Sequence, residues 1–103
     1  MGEMQQTAAA FAKSHGMSRE PWVRFLDFSS EAGELSKELL KASHYGETPV
    51  EPAPGMEEEL GDCMFSLLCL ADALGLDAEK ALEGSLEKYD RRFRTTGKIG
   101  SGN

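Results

Sequence analysis

The sequence predicts an all-α fold, a four-helix bundle completed by oligomerisation, and three observations carry that prediction. Apolar residues recur at three- and four-residue steps over long stretches, the period of one helix face. The prolines stand at the edges of those stretches, where they start or end a helix without interrupting it. No segment alternates polar and apolar residues over the length a strand needs.

The first helix is expected over roughly Glu3 to Lys13, alanine-rich and weakly amphipathic, stopping near Gly16. The second starts after Ser18, an N-cap candidate, with Pro21 in its first turn. Its apolar positions are Trp22, Phe25, Phe28, Ala32, Leu35 and Leu39, and it ends by Tyr45-Gly46. Pro49, Pro52 and Pro54 make the span from Glu47 to Gly55 a loop, since proline cannot continue a helix. The third helix begins at Met56 or Glu57, with Glu57, Glu58 and Glu59 in its first turn, where negative charge complements the helix dipole. It runs to Leu74, and Gly75 is a natural stop. From Cys63 to Ala71 it is apolar on nearly every side, so the rest of the domain or a second subunit must cover it. Asp77 caps the fourth helix, whose expected core face is Ala81, Leu82, Leu86, Tyr89 and Phe93.

A chain of 103 residues makes one small domain, read here as residues 1–96, with the glycine-rich segment 97–103 as a flexible tail. The net charge of −7, from 18 acidic and 11 basic residues, excludes a basic nucleic-acid footprint. Cys63 and Cys69 fall on different faces of one helix, which argues against an internal disulfide and for small apolar core residues in a reducing compartment. No apolar stretch is long enough to span a bilayer, and no basic start precedes an apolar core as in a signal peptide. A soluble cytoplasmic protein with no membrane or nucleic-acid partner is therefore expected.

Two acidic motifs carry the chemistry: Glu31-Ala-Gly-Glu34 and Glu59-Leu-Gly-Asp62. Residues three apart share a helix face, with Cβ atoms about 5–6 Å apart. Two such pairs on packed helices give four hard oxygen ligands around one point. Taken singly, glutamates at this spacing are ordinary solvated charges. Here Leu35 and Leu60 adjoin them, so the carboxylates border the core face. Gly33 and Gly61 precede the second acid of each pair at a cost of about 1 kcal/mol each relative to alanine, which suggests a close approach to the backbone. Asp62 leads directly into the most apolar run of the chain, a costly place for an unpaired acid. All-carboxylate ligation favours Mg²⁺, with Mn²⁺ as a substitute. His15 and His44, read as surface residues, do not follow a glutamate at the spacing of di-iron bundles. Near the end of the fourth helix, Lys88 and Arg92 share a face with Arg91. They either balance the helix dipole or reach substrate phosphates.

Glu31-x-x-Glu34, then Glu59-x-x-Asp62 after a proline-containing loop, an apolar helix, and Lys88-Tyr-Asp-Arg-Arg92 together resemble the MazG-like all-α nucleotide pyrophosphohydrolases. The likeness covers about residues 20 to 95 and is most specific over Met56 to Ala71. It implies a helical bundle that associates as a homodimer or homotetramer and hydrolyses nucleoside triphosphates to monophosphate and pyrophosphate with Mg²⁺. It also implies Glu31, Glu34, Glu59 and Asp62 as metal ligands, with Glu31 and Glu34 catalytic. Lys88 and Arg92 would meet the phosphates, and Trp22, with Phe25, would line the base pocket. The family motif is often written with two adjacent glutamates, and here Ser30 stands at the leading position. A catalytically silent helical dimer that binds nucleotide or a protein partner is the rival expectation, and a purely structural bundle is a third.

Overall fold

Four helices form in the computed structural model, which describes residues 1–97: α1 (Glu3–Ser14), α2 (Pro21–Ala42), α3 (Pro54–Ala73) and α4 (Ala78–Thr96). Among the described residues there is no strand. The expected flexible tail, apart from Gly97, lies outside them.

Local chemistry accounts for the helix ends, with two departures from expectation. Pro21 occupies the first turn of α2, but the N-cap is Glu20. Ser18 shapes the preceding turn instead, its Oγ accepting the Glu20 N–H at 3.2 Å. Pro54 belongs to α3 and not to the loop, because a proline at the first helical position lacks only an N–H that has no intrahelical partner anyway. The α2 helix ends at Ala42, and His44, Tyr45 and Gly46 turn the chain with positive φ. Gly75 stops α3 at φ 69°, and Asp77 caps α4 by accepting the N–H groups of Glu79 and Lys80 at 3.0 and 3.2 Å.

The α2 and α3 helices pack along their length as an antiparallel pair, and α1 packs on another flank of α3. The α1 contact is close because its inward residues are small: Ala8 and Ala12 meet Cys69, with Met17, Phe65 and Leu68 around them. Gln5, 1% exposed, ties α1 to the α3–α4 turn. Its Nε2 donates to the Leu76 carbonyl and its Oε1 accepts the Ala78 N–H, both at 2.7 Å. The buried amide is thereby satisfied on both sides.

The α4 helix is different. It makes no extended contact with the other helices. Leu82, Leu86, Tyr89 and Phe93 share a face as expected, yet none is buried; Leu86 is 57% exposed. Trp22, Phe25 and Leu39 of α2 are exposed as well, as are Leu60, Met64 and Leu67 of α3. The expectation that these faces form the core of one chain is thus corrected. The radius of gyration of 16.5 Å agrees, standing well above the roughly 13 Å of a closed domain of this length.

Candidate metal centre

The α2–α3 seam is polar along much of its length. Its register is set by facing pairs: Asp27 with Ser66, Glu31 with Glu59 and Asp62, and Glu38 with Gly55. On α2 these positions recur at steps of four and seven residues, one and two helix turns, and their partners on α3 at three- and four-residue steps. Glu31 on α2 therefore converges with Glu59 and Asp62 on α3 as soon as the two helices pack.

Glu31, Glu59 and Asp62 place carboxylate oxygens within 4.8 Å of one another. Burial and the neighbouring charges of Asp62, Asp27 and Glu34 push the Glu31 carboxyl above its ordinary value, against a hydrogen bond with Glu59 that pulls the other way. Burial, then Asp62, Glu31 and Glu34, push Glu59 up in turn. Glu59 Oε2 is buried and has no hydrogen-bond partner. Clustered like charges and an orphaned carboxylate oxygen fit a bound cation, and the all-oxygen donor set fits Mg²⁺ or Mn²⁺. Glu34 lies beside the trio, felt by both Glu31 and Glu59, and pairs with Lys37 at 3.6 Å.

The other expected site residues are not gathered here. Trp22 is 65% exposed in the first turn of α2, about 13 Å along the helix from Glu31. Lys88 and Arg92 sit on α4, which does not run alongside the carboxylates of its own chain; the Lys88 ammonium lies 5.1 Å from the Tyr89 ring. A Cβ on Gly33 or Gly61 would meet nothing within 4 Å, so the expected close approach to these backbones is not made within the chain. Gly61 instead lines an open apolar cleft of about 610 Å³ between α1 and α3, together with Met4, Phe11, Met64 and Phe65. Trp22 and Phe25 do not line it.

Three seam residues escape a reading that looks only for acidic pairs: Arg24, Asp27 and Ser66. Their signal is the period itself, since Arg24, Asp27 and Glu31 continue one face of α2, and Asp62 and Ser66 one face of α3.

The family described as MazG nucleotide pyrophosphohydrolase domain matches residues 26–96. An uncharacterized protein of Bacillus subtilis, YpjD, is 36% identical over 75 residues, covering 70% of this chain and 66% of that protein. The nucleoside triphosphate pyrophosphohydrolase of Escherichia coli, in two strains, is 48% identical over 44 residues, covering 43% of this chain and 17% of that protein. The chain thus spans less than two thirds of the length of each. No solved structure matches.

Proposed function

Because this chain belongs to the MazG nucleotide pyrophosphohydrolase domain family, we propose that it hydrolyses nucleoside triphosphates to the monophosphate and pyrophosphate. The observation that carries this reading is the meeting of Glu31, Glu59 and Asp62 within 4.8 Å across the α2–α3 seam. These three, joined by Glu34, would hold Mg²⁺. The ion supplies charge neutralisation for the triphosphate and activation of water. Glu31 and Glu34 orient the attacking water toward the α-phosphorus and take up its proton. Pyrophosphate then leaves, its charge also met by Lys88 and Arg92.

Burial in a single chain supports a homo-oligomer as the working unit. An isolated chain would leave Leu82, Leu86 and Phe93 in water, a continuous apolar face of the kind that monomers rarely expose. Since α4 does not return to its own carboxylates, Lys88 and Arg92 serve the site of a neighbouring copy. The exposed indole of Trp22 offers a platform for the base. Among the described residues no helix is long and apolar enough to cross a membrane. With the acidic net charge, this supports a cytoplasmic enzyme of nucleotides rather than of nucleic acid or lipid.

The rival, a silent nucleotide-binding dimer, draws on Ser30 at the position where the fuller motif has glutamate. A pyrophosphate-release screen over ordinary and modified nucleoside triphosphates, with Mg²⁺ and with chelator, separates the two. Mg²⁺-dependent release that Glu34→Gln abolishes supports the enzyme, and no release from any nucleotide supports the rival.

A further inference from the structure

Arg24 is the one charged residue among the described residues that the fold buries almost completely, at 6% exposure. It sits in the second turn of α2, facing α3. Its Nη2 reaches Asp27 Oδ2 at 3.7 Å, while its Nε and Nη1 are buried and have no hydrogen-bond partner. The same Asp27 oxygen accepts the Ser66 hydroxyl at 2.8 Å. Asp27 stands one turn before Glu31 on the same face of α2, and its charge is among those felt by the Glu31 carboxyl. Burying a guanidinium behind one long ion pair and beside the Cys69 thiol, a weak acceptor, is an expensive way to join two helices, and an apolar side chain of similar size would pack there at lower cost. What the arrangement does achieve is electrostatic. It fixes a carboxylate about 6 Å from a cation ligand, with a compensating charge one turn further away.

We propose that Asp27, clasped by Ser66 and Arg24, is a positioning residue of the carboxylate site, holding a negative charge against Glu31 that strengthens cation binding without touching the ion. Arg24 holds Asp27 in place and, as a positive charge, also moderates its effect. This rests on the reading of Glu31, Glu59 and Asp62 as a cation site. A unit charge one helix turn behind a ligand of a divalent ion lies farther from the ion than from that ligand, about 9 Å, and at physiological salt changes cation affinity by about 2- to 5-fold.

The two members of the pair therefore have effects of opposite sign. Asp27→Asn keeps an acceptor for Ser66 and the side-chain shape but removes the charge, and should weaken Mn²⁺ binding by about 2- to 5-fold. Arg24→Met keeps the packing and removes the opposing charge, and should tighten Mn²⁺ binding even as it lowers the melting temperature. The test is calorimetric titration of the full chain with Mn²⁺ alone at neutral pH, in low and high salt, with melting curves on the same samples. Arg24→Lys, which keeps the charge, stands in if Arg24→Met does not fold, and should leave Mn²⁺ affinity near that of the native chain. Opposite shifts that shrink in high salt support the proposal. Affinities that fall together in both variants, in step with stability, overturn it, as does an unchanged affinity in Asp27→Asn. The native chain and Glu31→Gln test the site itself: if the native chain binds no Mn²⁺, the cation-site reading falls and the proposal with it. If the native chain binds, Glu31→Gln does not, and Asp27→Asn binds unaltered, only the proposal falls.

Discussion

Glu31 on α2 and Glu59 on α3 bring carboxylate oxygens within 4.8 Å of each other across the seam, two carboxyls each pushed above the ordinary value of 4.5 by burial and by the acids around them. A carboxyl with a raised folded-state pKa holds its proton more tightly folded than unfolded. Its contribution to stability is full below about 4.5 and is lost as pH rises through the raised value. The metal-free protein should therefore lose stability from mildly acidic pH towards neutrality. A divalent cation competes with protons for these carboxylates, so it should restore stability more at neutral than at acidic pH. At a hundredfold excess over Kd the gain is about 2.7 kcal/mol, a rise of more than about 10 °C for a domain of this size. Melting curves at acidic and neutral pH, with chelator and with Mn²⁺, test both signs. A rise equally large at both pH values would place the cation elsewhere.

Glu34→Gln should fold and should lose at least about 100-fold in turnover, the equivalent of about 2.7 kcal/mol in the barrier. Glu34 is exposed and held only by Lys37, so its replacement leaves the packing intact. Circular dichroism and pyrophosphate release on one preparation decide the matter. Native-like turnover in this variant would remove Glu34 from the chemistry.

The apolar face of α4 predicts the oligomer. Light scattering at micromolar concentration should give at least twice the 11.2 kDa of one chain. Leu86→Glu, in the middle of that face, should shift the population to monomer and cut activity with it. A native chain that scatters as a monomer would contradict the prediction.

Lys88→Ala or Arg92→Ala should weaken nucleotide binding or turnover and leave Mn²⁺ affinity largely intact. If these cations serve the neighbouring copy, mixing Lys88→Ala with Glu34→Gln should restore activity, because a mixed dimer has one site with both groups native. Statistical pairing puts the recovery at about a quarter of the native value. No recovery on mixing would return Lys88 to its own chain's site. A lowered melting temperature with unchanged kinetics would leave it as a partner of the helix dipole alone.

Asp77→Ala should cost about 1 kcal/mol of stability, since the carboxylate accepts two otherwise unpaired N–H groups at the start of α4. Chemical denaturation measures the loss. It should exceed that of Ser18→Ala, because Ser18 does not cap α2.

Much of the helical architecture was legible locally. Helix period, the stop at Gly75, the cap at Asp77 and the placement of Pro21 are short-range effects, decided within a turn or two of the residue concerned. The same locality makes Glu31 with Glu34 and Glu59 with Asp62 readable as two same-face pairs. Which acids meet is a matter of tertiary structure. The antiparallel register of α2 on α3 brings Glu31, Glu59 and Asp62 together, leaves Glu34 at the edge beside Lys37, and draws in Asp27, Ser66 and Arg24. The apolar period of α4 was equally plain, but period says only that a face seeks burial and not what covers it. The α3–α4 turn, clamped by Gln5, directs that face away from its own chain. Hydrophobic patterning is a property of one helix, whereas burial is a property of the neighbours it meets.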